Sequence, residues 1–109
     1  MIKVRIKKDP DSYIHSVEVS GHADYAKHGE DIICSAVSFL SQAILNGLIE
    51  ILKADVDYTV NQDGYLSFSI NNNEYKKETI KALLDTFELG IKTLEEGYGK
   101  HVKLVKEEV

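Results

Sequence analysis

The sequence holds a single cysteine and a single proline in 109 residues, and basic residues are in the minority. One cysteine cannot close an intramolecular disulfide, so a disulfide-stapled secreted scaffold is excluded. No Pro/Gly/Ser-rich stretch interrupts the chain, and one domain spanning residues 1–109 is the expectation. Lys and Arg number 13 against 18 Asp and Glu, a formal net charge of −5. That balance gives no electrostatic basis for gripping a phosphate backbone, so nucleic acid is not expected as a direct partner. Neither a secretory signal nor a run of about 18 apolar residues is evident, which points away from a membrane and toward a reducing cytoplasm.

Against those absences stands an ordinary globular composition, 43% hydrophobic and 28% charged, enough for one core. Met1 to Lys7 alternates apolar with polar residues, Asp9-Pro10-Asp11-Ser12 supplies turn chemistry, and Ile14 to Ser20 resumes the β pattern. The basic residues Lys3, Arg5, Lys7 and Lys8 belong to this pattern and read as the solvated side of a strand. Gly21 to Glu30 has no apolar period and reads as a loop. Asp31 is a fitting N-cap, and from Ile32 to Lys53 apolar residues recur at helical spacing over a stripe wide enough to be covered on more than one side. A second hairpin follows, with Val56 to Val60 and Leu66 to Ile70 flanking Asn61-Gln62-Asp63-Gly64. Ile80, Leu83, Leu84, Phe87, Ile91 and Leu94 mark a second helix that should stop near Gly97 or Gly99. Val102 and Leu104 allow a short final edge strand. The order β-β-α-β-β-α, with that last strand as an optional addition, defines an α+β domain with a mainly antiparallel sheet packed with two helices.

Chemistry-bearing residues concentrate between Gly21 and Ser38, where His22, Asp24, His28, Glu30, Asp31 and Cys34 lie within 18 positions. With Asp31 as N-cap, Cys34 is the third helical residue, where unpaired backbone N–H groups and the helix dipole favour a thiolate. His22, at the end of the second strand, is the best-placed proton acceptor, because the intervening loop can fold back over the helix start. First-turn N–H groups would then serve as an oxyanion hole. Asp31 has two compatible roles, capping the helix or orienting His22, with Asp24 and Glu30 as alternative orienters. Gly21 and Gly29 fit turns or hinges of the loop. The bland reading stays beside this one: Cys34 as a small packed hydrophobe and His22 as a strand-end polar residue. Cys34, His22, His28 and His15 offer ligand types for zinc, but their spacing matches no familiar zinc pattern, so no metal or cofactor is expected.

Gly-His-Ala-x-Tyr at 21–25, Gly29, and Asp-Ile-Ile-Cys-Ser-Ala-Val-Ser at 31–38 resemble the ribosomal-processing cysteine protease family called Prp. The resemblance extends over the whole chain and implies Cys34 as nucleophile and His22 as proton-transfer partner. It implies a cysteine endopeptidase that removes a short N-terminal extension from the large-subunit ribosomal protein L twenty-seven during ribosome maturation. Homodimers of a ββαββα unit are implied too, with a mobile loop, here Ala23 to Glu30, over the site. Ser35 stands where an alanine is frequent in the family. Family substrates imply an apolar groove, for which Tyr25 and Ser38 are candidate lining residues. The competing class is a non-catalytic ribosome-associated binding module in which residues 21–34 form a partner loop.

Overall fold

Alternation of Ile2, Val4 and Ile6 with Lys3, Arg5 and Lys7 produces the first strand, β1 (Ile2–Lys8), with the three aliphatics buried. The computed structural model describes residues 1–21, 28–62 and 64–109, and for residues 28–31 the backbone alone. β1 turns back into β2 (Ile14–Ser20) through a tight loop organised by Asp9. One carboxylate oxygen of Asp9 accepts the backbone N–H groups of Asp11 at 2.9 Å and Tyr13 at 3.0 Å. This is the turn chemistry of an acidic residue that holds its own downstream backbone.

The remaining elements are helix α1 (His28–Asn46), continued by a wider π-type turn at Gly47–Ile51, strands β3 (Val56–Val60) and β4 (Leu66–Ile70), helix α2 (Glu78–Tyr98) and strand β5 (Val102–Glu108). A short 3-10 turn, Glu74–Lys76, leads into α2. The five strands form one sheet in the order β3-β4-β2-β1-β5. Neighbours are antiparallel except β1 and β5, which run parallel. The final strand is thus a full seven-residue edge rather than a short appendage. A parallel partner needs a crossover, and α2 provides it.

Register places apolar residues in rows across the sheet: Val4 opposite Val19 opposite Leu66, and Ile6 opposite Val17 opposite Phe68. These rows form the floor of the core. Ile33, Val37, Ile44, Leu45 and Leu48 from α1 and its π turn, and Ile80, Leu84, Phe87 and Ile91 from α2, form the roof. The opposite side of the sheet carries polar residues such as Lys3, Ser16 and Ser67. By length and composition Ile32–Ile51 would suffice to cross a membrane, but one side of it is this core. The two helices meet at Gly90, where an added Cβ would lie 2.9 Å from a Leu40 methyl carbon, so the absent side chain permits the close approach.

Two boundaries differ from the sequence reading. Helix α1 starts at His28, so Gly29 and Glu30 belong to the helix and not to the loop, and Asp31 is its fourth residue and not its N-cap. The apolar period begins only at Ile32, which hides a first turn built from polar residues. At the other end the α-helix closes seven residues before Lys53. The Leu52 N–H reaches the Gly47 carbonyl at 3.0 Å, and Lys53 takes a left-handed φ of 53° that ends the segment.

Candidate active site

Cys34 lies on α1, half-buried, with its side chain packed at the margin of the core. It borders a cavity of about 330 Å³. Four parts of the fold meet there: Ile2 from the start of β1, Val19 and Gly21 from the end of β2, Val37 and Ser38 from α1, and Gln62 and Gly64 from the β3–β4 turn. Ser38 follows Cys34 by one helical turn and is exposed, so the two side chains share one flank of α1.

Gly21 is conformationally necessary. Its φ is +83°, and a Cβ there would collide with the Met1 carbonyl oxygen. The residue that follows β2 can therefore pass close to the start of β1 only without a side chain. This junction forms one wall of the Cys34 cavity, and Gly21 immediately precedes His22 in the chain. His22, Asp24 and Tyr25 lie outside the described residues, as do the side chains of His28, Glu30 and Asp31. Among the described residues no three of His, Cys, Asp and Glu converge as metal ligands.

The start of α1 at His28 changes one electrostatic expectation. Cys34 is the seventh helical residue and not the third, so its N–H falls past the first four unpaired donors of the helix and within the i to i−4 ladder. The helix dipole also fades within the first turn. The expectation that the helix start activates Cys34 therefore loses its geometric basis. The Gly29 hinge is corrected in the same way, because its backbone is helical.

Sequence reasoning missed Ile2, Val19, Gln62 and Gly64. Their place at the cavity follows from strand register and from the fold of the second hairpin. Only Gly64 carried a local signal, as a turn glycine, and its φ of 82° agrees with that.

A half-buried thiol on a helix, open to a cavity where two strand ends and a hairpin turn converge, has the arrangement of a thiol-nucleophile site on an α+β scaffold. The family model for cysteine protease Prp matches residues 1–103, and the chain belongs to that family of cysteine proteases that act in ribosomal processing. Curated relatives are the ribosomal processing cysteine protease Prp of Bacillus subtilis (strain 168), 24% identical with 95% of this chain and 96% of the relative covered, and that of Staphylococcus aureus (strain NCTC 8325 / PS 47), 26% identical with 95% and 97% covered. The crystal structure of SMU.848 from Streptococcus mutans superposes with a TM-score of 0.90 at 28% identity, covering 100% of this chain and 96% of that one. The essential ribosomal processing protease Prp from S. aureus, in complex with a substrate peptide, superposes with a TM-score of 0.87 at 23% identity, covering 98% of this chain and 100% of that one, and shows the same fold. Membership of a protease family sets aside the reading of residues 21–34 as the loop of a non-catalytic binding module.

Proposed function

We propose that this protein is a cytoplasmic, homodimeric cysteine endopeptidase that removes the short N-terminal extension of the large-subunit ribosomal protein L twenty-seven, a step in ribosome maturation. The observation that carries the reading is Cys34 at the edge of an open cavity, in a chain that belongs to the Prp cysteine proteases. The S. aureus relative, crystallised with a substrate peptide, supports a peptide as the occupant of this cavity.

In this reading His22 takes the thiol proton and the Cys34 sulfur attacks the scissile carbonyl carbon, forming a tetrahedral oxyanion. Collapse of that intermediate breaks the peptide C–N bond, and His22 returns the proton to the departing amine. Water, deprotonated by His22, then attacks the thioester, releasing the new carboxylate and restoring the thiol. Asp31 would orient His22 from the first turn of α1. Gly21 would fix the backbone entry to His22, and Ser38 and Tyr25 would line the path of the peptide. No cofactor is required by these steps.

The homodimer has support on the outward side of the helices. Ile32 and Phe39 of α1 are 65% and 76% exposed and lie on one side of that helix, and Leu89 of α2 is 64% exposed. A second subunit would cover them. Light scattering should then report a dimer, and Phe39→Asp a monomer.

The direct test is incubation of the protein with a peptide spanning the extended N-terminus of that ribosomal protein from the same organism, read by mass spectrometry. Wild type should give one cut, and Cys34→Ala and His22→Ala none, with unchanged melting temperatures. Cleavage by Cys34→Ala would remove the nucleophile assignment. Alkylation of Cys34 by iodoacetamide should abolish cleavage in proportion to the thiol modified.

A further inference from the structure

The sheet is wider than the helical layer that covers it. Strand β3 pairs Val60 with Leu66 and Tyr58 with Phe68, so these two residues extend the buried rows Val4–Val19–Leu66 and Ile6–Val17–Phe68 on the helix side. Residues paired directly across neighbouring strands share a face of the sheet. Yet Val60 is 41% and Tyr58 57% exposed, whereas Leu66 and Phe68 are buried. No helix among the described residues reaches over β3. An apolar shelf is left open beside α1.

The flank of α1 toward this shelf carries Cys34, Ser38 and Gln42 at successive fourth positions. The Cys34 cavity is followed along that flank by a second hollow of about 70 Å³. The two share Val19, Ser38 and Gly64, and the second adds Gln42, Val60 and Tyr65 to the wall. Thiol, polar helix flank and the Val60 end of the shelf thus form one continuous trough, with Tyr58 next beyond Val60 on the same side of β3. From Cys34 to Gln42 the helix rises about 12 Å, the length of about three to four residues of extended chain.

We infer that this trough binds the substrate peptide as an extended segment on one side of the scissile bond. In that arrangement Val60 and Tyr58 contact an apolar side chain about three to four residues from the cut, at the rise of an extended strand. Ser38 and Gln42 offer side-chain hydrogen bonds to the peptide main chain. Continuity with the nucleophile selects the occupant, because a chain entering the Cys34 cavity in extended form has this open path beside it. The inference rests on the peptidase reading of Cys34.

The test uses the full-length protein and two peptides, the extension peptide and a version truncated to about two residues on each side of the cut, too short to reach the shelf. Val60→Ser and Tyr58→Ala alter exposed residues, so unchanged thermal melts should verify the fold. Each should raise KM for the long peptide by about tenfold, the scale expected for loss of one apolar side-chain contact. Turnover of the truncated peptide should respond to neither variant. Thr59→Ala, on the opposite side of β3, serves as the control. An unchanged KM for the long peptide in both variants, with normal wild-type cleavage, overturns the trough alone. A loss of dimer with unchanged KM would make the shelf a subunit contact and also overturn it. Absence of wild-type cleavage of the long peptide would overturn the substrate reading, and the proposed occupant with it.

Discussion

Replacing Gly21 with alanine should damage stability and activity together, and its cost can be worked from two local facts. The residue has φ of +83°, a left-handed region that costs an L-residue with a Cβ about 1–2 kcal/mol. The new methyl would also meet the Met1 carbonyl, a backbone group that cannot rotate away, so β1 and β2 must separate at their open end. Overpacking of that kind adds about 1–3 kcal/mol, for a total of about 2–5 kcal/mol. For a domain of this size each kcal/mol lowers the melting temperature by about 4–8 °C, so Gly21→Ala should melt at least about 8 °C below wild type. Gly97→Ala is the matched control. Beyond its own helix backbone and chain neighbours nothing lies within 4 Å of its added Cβ, and it sits in the last turn of α2. There the same methyl should stabilise by up to about 1 kcal/mol, because alanine is the better helix former. Thermal circular dichroism of the two variants reads opposite signs from one chemical change. Because Gly21 also walls the Cys34 cavity, kcat/KM should fall by about 10²-fold, the scale of an ångström-level misplacement near reacting groups. A Gly21→Ala melting temperature within about 2 °C of wild type would refute the reasoning about this junction.

Phe87→Ala removes a ring with no solvent exposure from the centre of α2 and should cost about 3–5 kcal/mol in urea titrations; a loss below about 1 kcal/mol would mean the core is not packed as described. Glu88 reaches the Lys8 ammonium at 3.0 Å and the Lys106 ammonium at 3.6 Å, tying α2 to β1 and β5. Glu88→Gln should lower stability by about 1 kcal/mol, with the loss shrinking in high salt. Lys81 donates to Asp85, and this hydrogen bond holds the ammonium protonated above its ordinary 10.5. A raised pKa means that the stabilisation is fully present below 10.5 and fades as pH rises through the higher folded-state value, so in urea titrations Lys81→Met should be slightly less stable than wild type at neutral pH, and the difference should close on the alkaline limb.

Much of the architecture was legible because its causes are local. Period-two alternation set β1 to β4, Asp9-Pro10-Asp11-Ser12 and the Asn61–Gly64 segment set the two turns, and helical spacing set the body of both helices. The start of α1 was not legible, since Glu30 and Asp31 precede any apolar period and a polar first turn resembles a loop. The length and parallel pairing of β5 were hidden as well. Val102 and Leu104 define a strand only against the register of β1.

The sequence by itself singled out one thiol and a nearby histidine as the candidate pair, because residue type and the motif at 21–38 suffice to mark them. It did not determine the surroundings of the thiol. Ile2, Val19, Gln62 and Gly64 come from separate parts of the chain and reach Cys34 only through strand pairing and hairpin folding. Nor could it show that Val60 and Tyr58 stand open. Their alternation is that of buried residues, and whether a helix covers them depends on the width of the sheet relative to the helices laid on it. Local pattern specifies which side of a strand is apolar, and only the packed layers decide whether that side becomes core or remains surface.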